Sequence, residues 1–520
     1  MAFVVPFTVL VLVPCAADDP KPQDTHWVSE VRFHDGAGLL GFSADGKHLA
    51  AGGGGEIRVL TVPGGKEVVR MQLPNRDYMF GAFAADGKHF VSAGGVDKTV
   101  RFWSLATGKQ TRELDLPRAK DLKWVIGFSP GGTVLALKLT DGIALVAPDT
   151  GKVIAEFAGA GPGGGSFSIS GGGFSPDGKR FAAGTGEGRL AVWDAETGKR
   201  LVISAEKLPL AATDFVFVQF SPDGRWIAAG NGGSITQPIR IWDATTAELL
   251  AEPVKANGYT GGLAWTPDGT AVVMVDINGR IATDVATGKP VHTFKADMSY
   301  LWNSVYYPSP DGRHLVFVGT STRPDPNAEQ PKSNSAYLVQ LPAAKKPAPP
   351  KAELAAAELD AFWADIATPN KIRREQIRTA LAAAPGSAVA YLVRKLPPTT
   401  AADVARVREL IAQLDDDAPD ARKRAQEQLA GVAHRFERPL RLALADAKPG
   451  EIKNRLTFLI GEVDAKPLPP DLLAELKAVE HLARLNTPDA VKHLTAVAGG
   501  ADSRVTAEAK AALEKPDRRP

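Results

Sequence analysis

The chain has 520 residues, too many for one hydrophobic core, so two or more domains are expected. Lys plus Arg number 61 against 59 Asp plus Glu, a formal net charge of +2, which excludes bulk electrostatic capture of nucleic acid or anionic membrane as the basis of function. Hydrophobic residues make up 44%, the balance of a soluble globular protein, and 51 Gly with 39 Pro suit a chain built from many turns.

At the N-terminus, Phe3 to Val13 is an apolar run of signal-peptide length, too short to span a bilayer, and Cys15-Ala16-Ala17 follows it with small residues. A leader over 1–17, cleaved before Asp18, and export to the periplasm, cell envelope or medium are therefore expected. The departure from a signal peptide is the missing Lys or Arg near Met1, and the competing reading is a buried first strand. Pro14 spoils the small-residue pattern needed for lipid attachment at Cys15. Cys15 is the only cysteine, so the mature chain has no disulfide, thiol nucleophile or cysteine metal ligand, and no transmembrane span.

A phrase then recurs seven times: FSADG at Phe42, FAADG at Phe83, FSPGG at Phe128, FSPDG at Phe174 and Phe220, WTPDG at Trp265, and PSPDG with Tyr307 in the aromatic slot. A second turn follows each of the first six copies, at Val62, Ser104, Ala147, Asp194, Asp243 and Asp284. Pro presets φ at the first turn position, Asp bonds its own backbone, and Gly takes the left-handed position that closes a hairpin. The runs between turns alternate apolar and polar residues, as at Val69, Met71 and Leu73, which is the period of a strand. Four short antiparallel strands repeated about every 45 residues predict a β-propeller, here seven-bladed over 26–341. Copy seven has three strands and then runs into proline, so WVSEVRF (27–33) is expected to supply its outer strand and close the last blade.

These repeats resemble the WD-repeat family, in the form of a bacterial exported propeller: Trp193-Asp194 and Trp242-Asp243 match the family's terminal dipeptide, and Trp103-Ser104 nearly does. The family's Gly-His dipeptide ahead of each first strand is absent, so the hydrogen-bond network it anchors must be missing or replaced. The resemblance implies scaffold roles in general and no particular partner.

A Pro-rich spacer (342–351) leads to a region of helical period, 352–516, with Leu354, Leu359 and Phe362 on one stripe and Val404, Val407, Leu410 and Ile411 on another. About ten short helices are expected, with starts at Thr368-Pro369, Pro419-Asp420 and Thr487-Pro488 and a stop at Gly499-Gly500. The region resembles HEAT-type helical pairs, with a compact helical bundle as the alternative, so the fold class is multidomain: an all-β propeller followed by an all-α helical-repeat domain.

Most motifs that suggest chemistry lack their structural context. Gly127-Phe128-Ser129-Pro130-Gly131 matches G-x-S-x-G but sits where every repeat has its hairpin. Gly159, Gly161 and Gly164 match G-x-G-x-x-G with no helix to follow. His48, His89 and His314 occupy one repeat position, and Asp415-Asp416-Asp417 precedes a helix start. No catalytic residue, metal ligand or cofactor is assigned. One constellation remains, in the loops entering the innermost strands: Arg76, Tyr78, Trp124, Phe215, Tyr259, Tyr300 and Trp302. Aromatics with Arg suit binding hot spots, whereas burial between blades is the commoner use of such rings. The expected function is an exported, non-enzymatic scaffold for a protein or peptide, with the helical domain as a second surface. The alternatives are a lactonase- or glycan-hydrolase-type propeller enzyme or a glycan-binding lectin at the axial channel, and the acidic residues of the same loops are Asp77, Asp121, Asp214 and Asp297.

Overall fold

The structure, a computed structural model, describes residues 26–33, 38–53, 55–74, 79–94, 97–158, 172–185, 188–206, 216–231, 239–254, 263–273, 280–293, 306–309, 314–320, 334–340 and 351–514. The chain divides into two compact units, Met1–Pro347 and Ala348–Pro520.

The first unit is a β-propeller. Its described strands form seven four-stranded antiparallel sheets, and we call them blades 1 to 7 in chain order: 38–72, 79–114, 122–158, 172–203, 216–254, 264–293 and 306–340. In each blade the first strand in sequence is innermost and the order runs outward. Blade 7 is the exception, because its outer strand is His26–Phe33, paired antiparallel with Asn334–Gln340 from His26 opposite Gln340 to Phe33 opposite Asn334. The innermost strands adjoin one another from blade 1 to blade 6, and that of blade 7, Tyr306–Pro308, adjoins Gly38–Phe42 of blade 1.

The core lies in the seams between blades. Val91, Val100 and Phe102 of blade 2 pack with Leu122, Leu135 and Leu137 of blade 3, and Ala136 and Leu145 of blade 3 pack with Phe181 and Trp193 of blade 4. The middle strands bury one face in the preceding seam and the other in the next, which is why they are mostly apolar, whereas outer strands such as Gln110–Leu114 and Arg200–Ile203 keep exposed residues.

The hairpin phrase works as a hydrogen-bonded unit. Ser43 Oγ donates to Asp45 Oδ1 at 2.6 Å and accepts the His48 N–H at 2.9 Å. Ser175 with Asp177 and Arg180, Ser221 with Asp223 and Trp226, and Thr266 with Asp268 and Ala271 repeat it. In blade 2 Ala84 replaces the serine, and His89 Nδ1, 2.6 Å from Asp86 Oδ2, holds the carboxylate instead. The second turn is an Asx turn: Asp194 Oδ1 accepts from the N–H groups of Glu196 and Thr197 and from Thr197 Oγ1, and Asp243 and Asp284 do the same.

The residue before that turn varies between blades. In blade 2 buried Trp103 lies opposite Phe90 and donates its Nε1–H to Ser92 Oγ at 2.8 Å. In blade 5 the same register puts Trp242 opposite Ile227, but Ala229 stands where Ser92 does, and Trp242 Nε1 is buried without a hydrogen-bond partner. In blade 6 Thr283 takes the tryptophan position and its hydroxyl is also buried without a partner.

The second unit is all-α, with ten helices among its described residues: α1 Ala356–Asp365, α2 Lys371–Ala383, α3 Pro385–Lys395, α4 Ala401–Gln413, α5 Pro419–Val432, α6 Glu437–Asp446, α7 Glu451–Ala465, α8 Pro470–Leu485, α9 Pro488–Ala498 and α10 Arg504–Glu514. Thr487 caps α9 by accepting the Ala490 N–H, and α9 stops before Gly499. Asn370, not Thr368, caps α2. Helices α4–α5 and α6–α7 pack as consecutive pairs around Val407, Leu429, Leu440 and Leu459. Helices α8 and α9 lie against α3, so Ile377, Leu381 and Leu392 share one core with Val479, Leu482, Leu494 and Val505.

Two predictions follow from these packings. Ser92→Ala strands the Trp103 N–H and is expected to cost about 1–3 kcal/mol, whereas Ala229→Ser gives Trp242 a partner and is expected to stabilise by about 1 kcal/mol; urea unfolding of each variant measures both. Deleting 467–520 strips the partner surface from α1–α3. The helical unit should then lose its cooperative thermal transition by circular dichroism instead of surviving as a shorter repeat array.

Candidate interaction face

With the innermost strand first in every blade, each connection between blades enters its next blade beside the axis. The strand ends that these connections enter lie on the same face as the ends linked between the second and third strands, opposite the two repeated turns. The connection into blade 3 is described throughout. Residues 115–121 end in a single 3₁₀ turn, Ala119–Asp121, followed by the strand Leu122–Phe128.

Arg118 fixes this segment. Its guanidinium reaches Asp121 at 2.8 Å, both carboxylate oxygens of Asp141 at 2.9 Å and Glu156 at 3.1 Å, which ties the connection to the loop between the second and third strands and to the fourth strand of its blade. The same contacts hold the Arg118 pKa above its ordinary value, through Asp141 first, and the Arg118 hydrogen bond holds the Asp141 carboxyl below the usual range. Thr140 donates its N–H (2.7 Å) and hydroxyl (3.1 Å) to the Asp121 carbonyl. Lys98 of blade 2, in a left-handed conformation, donates to the Leu122 carbonyl at 3.0 Å. Both flanking sheets therefore tether the chain just ahead of Trp124.

Trp124 lies within the strand Leu122–Phe128, with Lys138 as its cross-strand partner, and not in the loop before it. Arg76, Tyr78, Phe215, Tyr259, Tyr300 and Trp302 lie outside the described residues, as do Asp77, Asp214, Asp297 and the glycines at 159, 161 and 164. Asp121 is engaged by Arg118 and Ser129 by its hairpin, where it is 1% exposed and accepts the Val134 N–H. Asp416 accepts the Ala418 N–H, while Arg422 donates to the Asp416 and Asp417 carbonyls, closing the entrance to α5. Among the described residues no group of three or more His, Cys, Asp or Glu is placed to hold a metal ion, and no helix is long and apolar enough to cross a membrane.

Sequence reasoning missed Lys138. It sits in the wholly buried strand Leu135–Leu139, 1% exposed, on the same strand face as Ala136, and donates to the Gly142 carbonyl at 3.3 Å. Burial pushes its pKa down from 10.5 to about 8, with Asp141 opposing and Lys123 reinforcing the shift. Alternation in LALKL sets Lys138 on the face opposite the three leucines, which reads as solvent-facing; the seam with blade 4 on that face buries it.

Residues 81–104, in blade 2, match the family described as WD domain, G-beta repeat. The chain is 25% identical over 232 residues to WD repeat-containing protein SL1-17 of Schistosoma mansoni, covering 43% of this chain and 70% of that protein. It is 31% identical over 106 residues to the small ribosomal subunit protein RACK1 of Caenorhabditis elegans, covering 18% of this chain and 30% of that protein. Among solved structures it is similar to the β-propeller domain of Cps50 (Swd1) from Myceliophteria thermophila, with a TM-score of 0.47 and 16% identity over 60% of this chain and 99% of that one.

The buried lysine has a pH signature. Between about pH 8 and 10.5 the unfolded chain binds the proton that folded Lys138 has lost, so stability rises with pH across this window. Below it both states are charged, and the fold carries a penalty on the order of 3 kcal/mol. Lys138→Met should be more stable at pH 7 and should lack that rise, read as the difference between parent and variant in denaturant unfolding.

Proposed function

We propose that the chain is an exported, non-enzymatic scaffold that holds a protein or peptide partner on the propeller face carrying the connections between blades, with the helical unit as a second interaction surface. The observation that carries the reading is the strand order. Repeated blade by blade with the innermost strand first, it directs successive connections to one face about one axis, and the sequence puts Arg76, Tyr78, Trp124, Phe215, Tyr259, Tyr300 and Trp302 in or beside those connections. Aromatic and Arg side chains are the types that dominate binding energy when they are desolvated together. WD-repeat propeller proteins commonly act as protein-interaction scaffolds, and a WD-repeat description attaches to residues 81–104 and to one relative. Export rests on the apolar run Phe3 to Val13 and the small residues before Asp18.

The test is crosslinking capture with the chain from residue 18, beside a variant with Tyr78, Trp124, Tyr259 and Trp302 changed to Ala, both shown folded by circular dichroism. A protein captured by the parent and bound at least about tenfold more weakly by the variant supports this face. Equal capture by both moves the interaction to the helical unit. Binding on a glycan array, with no protein captured, would favour a lectin instead.

A further inference from the structure

We propose that the outer edge of the strand Asn334–Gln340 is a strand-exchange site, and that its occupant is the His26–Phe33 strand of a second copy of the chain. In blades 1 to 6 a tight turn joins the outer strand to its inner neighbour, as where the Gly198 N–H bonds the Asp194 carbonyl ahead of Arg200–Ile203. Blade 7 has no such turn. Its outer strand comes from the other end of the propeller sequence and joins the ring through residues 34–37, which lead into blade 1. On its N-terminal side no other propeller strand stands among the described residues.

Withdrawal of His26–Phe33 therefore breaks one ladder and no turn, and the other three strands of blade 7 stay paired. The ladder is also irregular at one end, where the register shifts between Trp27 and Ser29. Withdrawal leaves a row of unpaired N–H and C=O groups along Asn334–Gln340, and an edge of this kind recruits an extended strand through main-chain hydrogen bonds. The sequence whose register on this edge is known is His26–Phe33 itself, and every copy carries it. A reciprocal exchange between two copies restores every ladder, and only four residues separate His26–Phe33 from Gly38–Phe42 in the sequence. Within one chain the same short connection gives a high effective concentration, so exchange needs concentrated protein and a brief opening of the ladder.

The experiment uses the chain from residue 18, which has no cysteine. Val31 and Ala336 are cross-strand partners. A double variant, Val31→Cys with Ala336→Cys, is oxidised first, and an intrachain disulfide shows that the pair is competent; if it fails to form, Arg32 with Ser335 takes its place. Chains bearing only Val31→Cys are then mixed with differently tagged chains bearing only Ala336→Cys, warmed below the melting temperature, cooled and oxidised. The mixed disulfide is expected to exceed either homodisulfide by at least tenfold. While dimer is the minor species, its fraction should rise about tenfold for each tenfold rise in concentration. A mixed disulfide no more abundant than the homodisulfides, or absent at every concentration, overturns the proposal.

Discussion

The propeller depends on how closely the turn after each third strand approaches the blade before it. Gly151 has a left-handed φ of 72°, and a Cβ on it would collide with the Asp115 carbonyl oxygen at the end of blade 2. A Cβ on Gly288 would stand 3.0 Å from the Pro253 carbonyl of blade 5. Glycine is needed twice at these points, for a backbone angle that L-residues resist and for the absent side chain that lets two sheets meet. The first hairpins also adjoin, with less crowding: a Cβ on Gly132 would stand 2.9 Å from Ala85, whereas on Gly178 and Gly224 it would make ordinary contact with Pro130 and Pro176. Arginines add to two seams: Arg112 bonds the Pro148 and Asp149 carbonyls, and Arg180 bonds the Gly224 and Ala244 carbonyls.

Within that frame the blades are not interchangeable. Blade 5 has Ala247, at φ 54°, where others have the turn glycine, and its Trp242 has lost the partner that Ser92 gives Trp103. Blade 2 lacks the hairpin serine and uses His89. Each departure is local because the seams, formed by alternating apolar residues, carry most of the burial. A lost hydrogen bond costs about 1 kcal/mol against that background.

The connection into blade 3 differs from the rest of its blade in being held partly by charge. Arg118 gathers three carboxylates, so directional contacts add to the apolar packing of Leu116, Ala119 and Leu122 in fixing the segment before Trp124. Lys138, one strand away, is buried at a cost and has a single long hydrogen bond to offset it. In the helical unit the directional contacts bridge the two cores: Arg435 pairs with Glu475, Arg504 with Glu437, and Thr399 shares a hydrogen bond with Ser503.

The repeat grammar was legible in the sequence because its determinants are local. Pro, Asp and Gly in FSPDG set a turn within five residues, and alternation over KEVVRMQL sets a strand whatever surrounds it. The same holds for the helical period after the spacer and for the cap at Thr487. Of the candidate face, sequence reasoning put seven aromatic or Arg residues in the entering loops; six lie outside the described residues and the seventh, Trp124, falls in a strand, while Arg118 and Lys138 were passed over. Arg118 depends on Asp141 and Glu156, whose proximity the register of four strands creates, and Lys138 is buried because the next blade packs on its face. The return of α8 and α9 onto α3, and the missing partner of Trp242, likewise belong to tertiary structure. Each depends on residues brought together across many positions of chain, and no local pattern records that meeting.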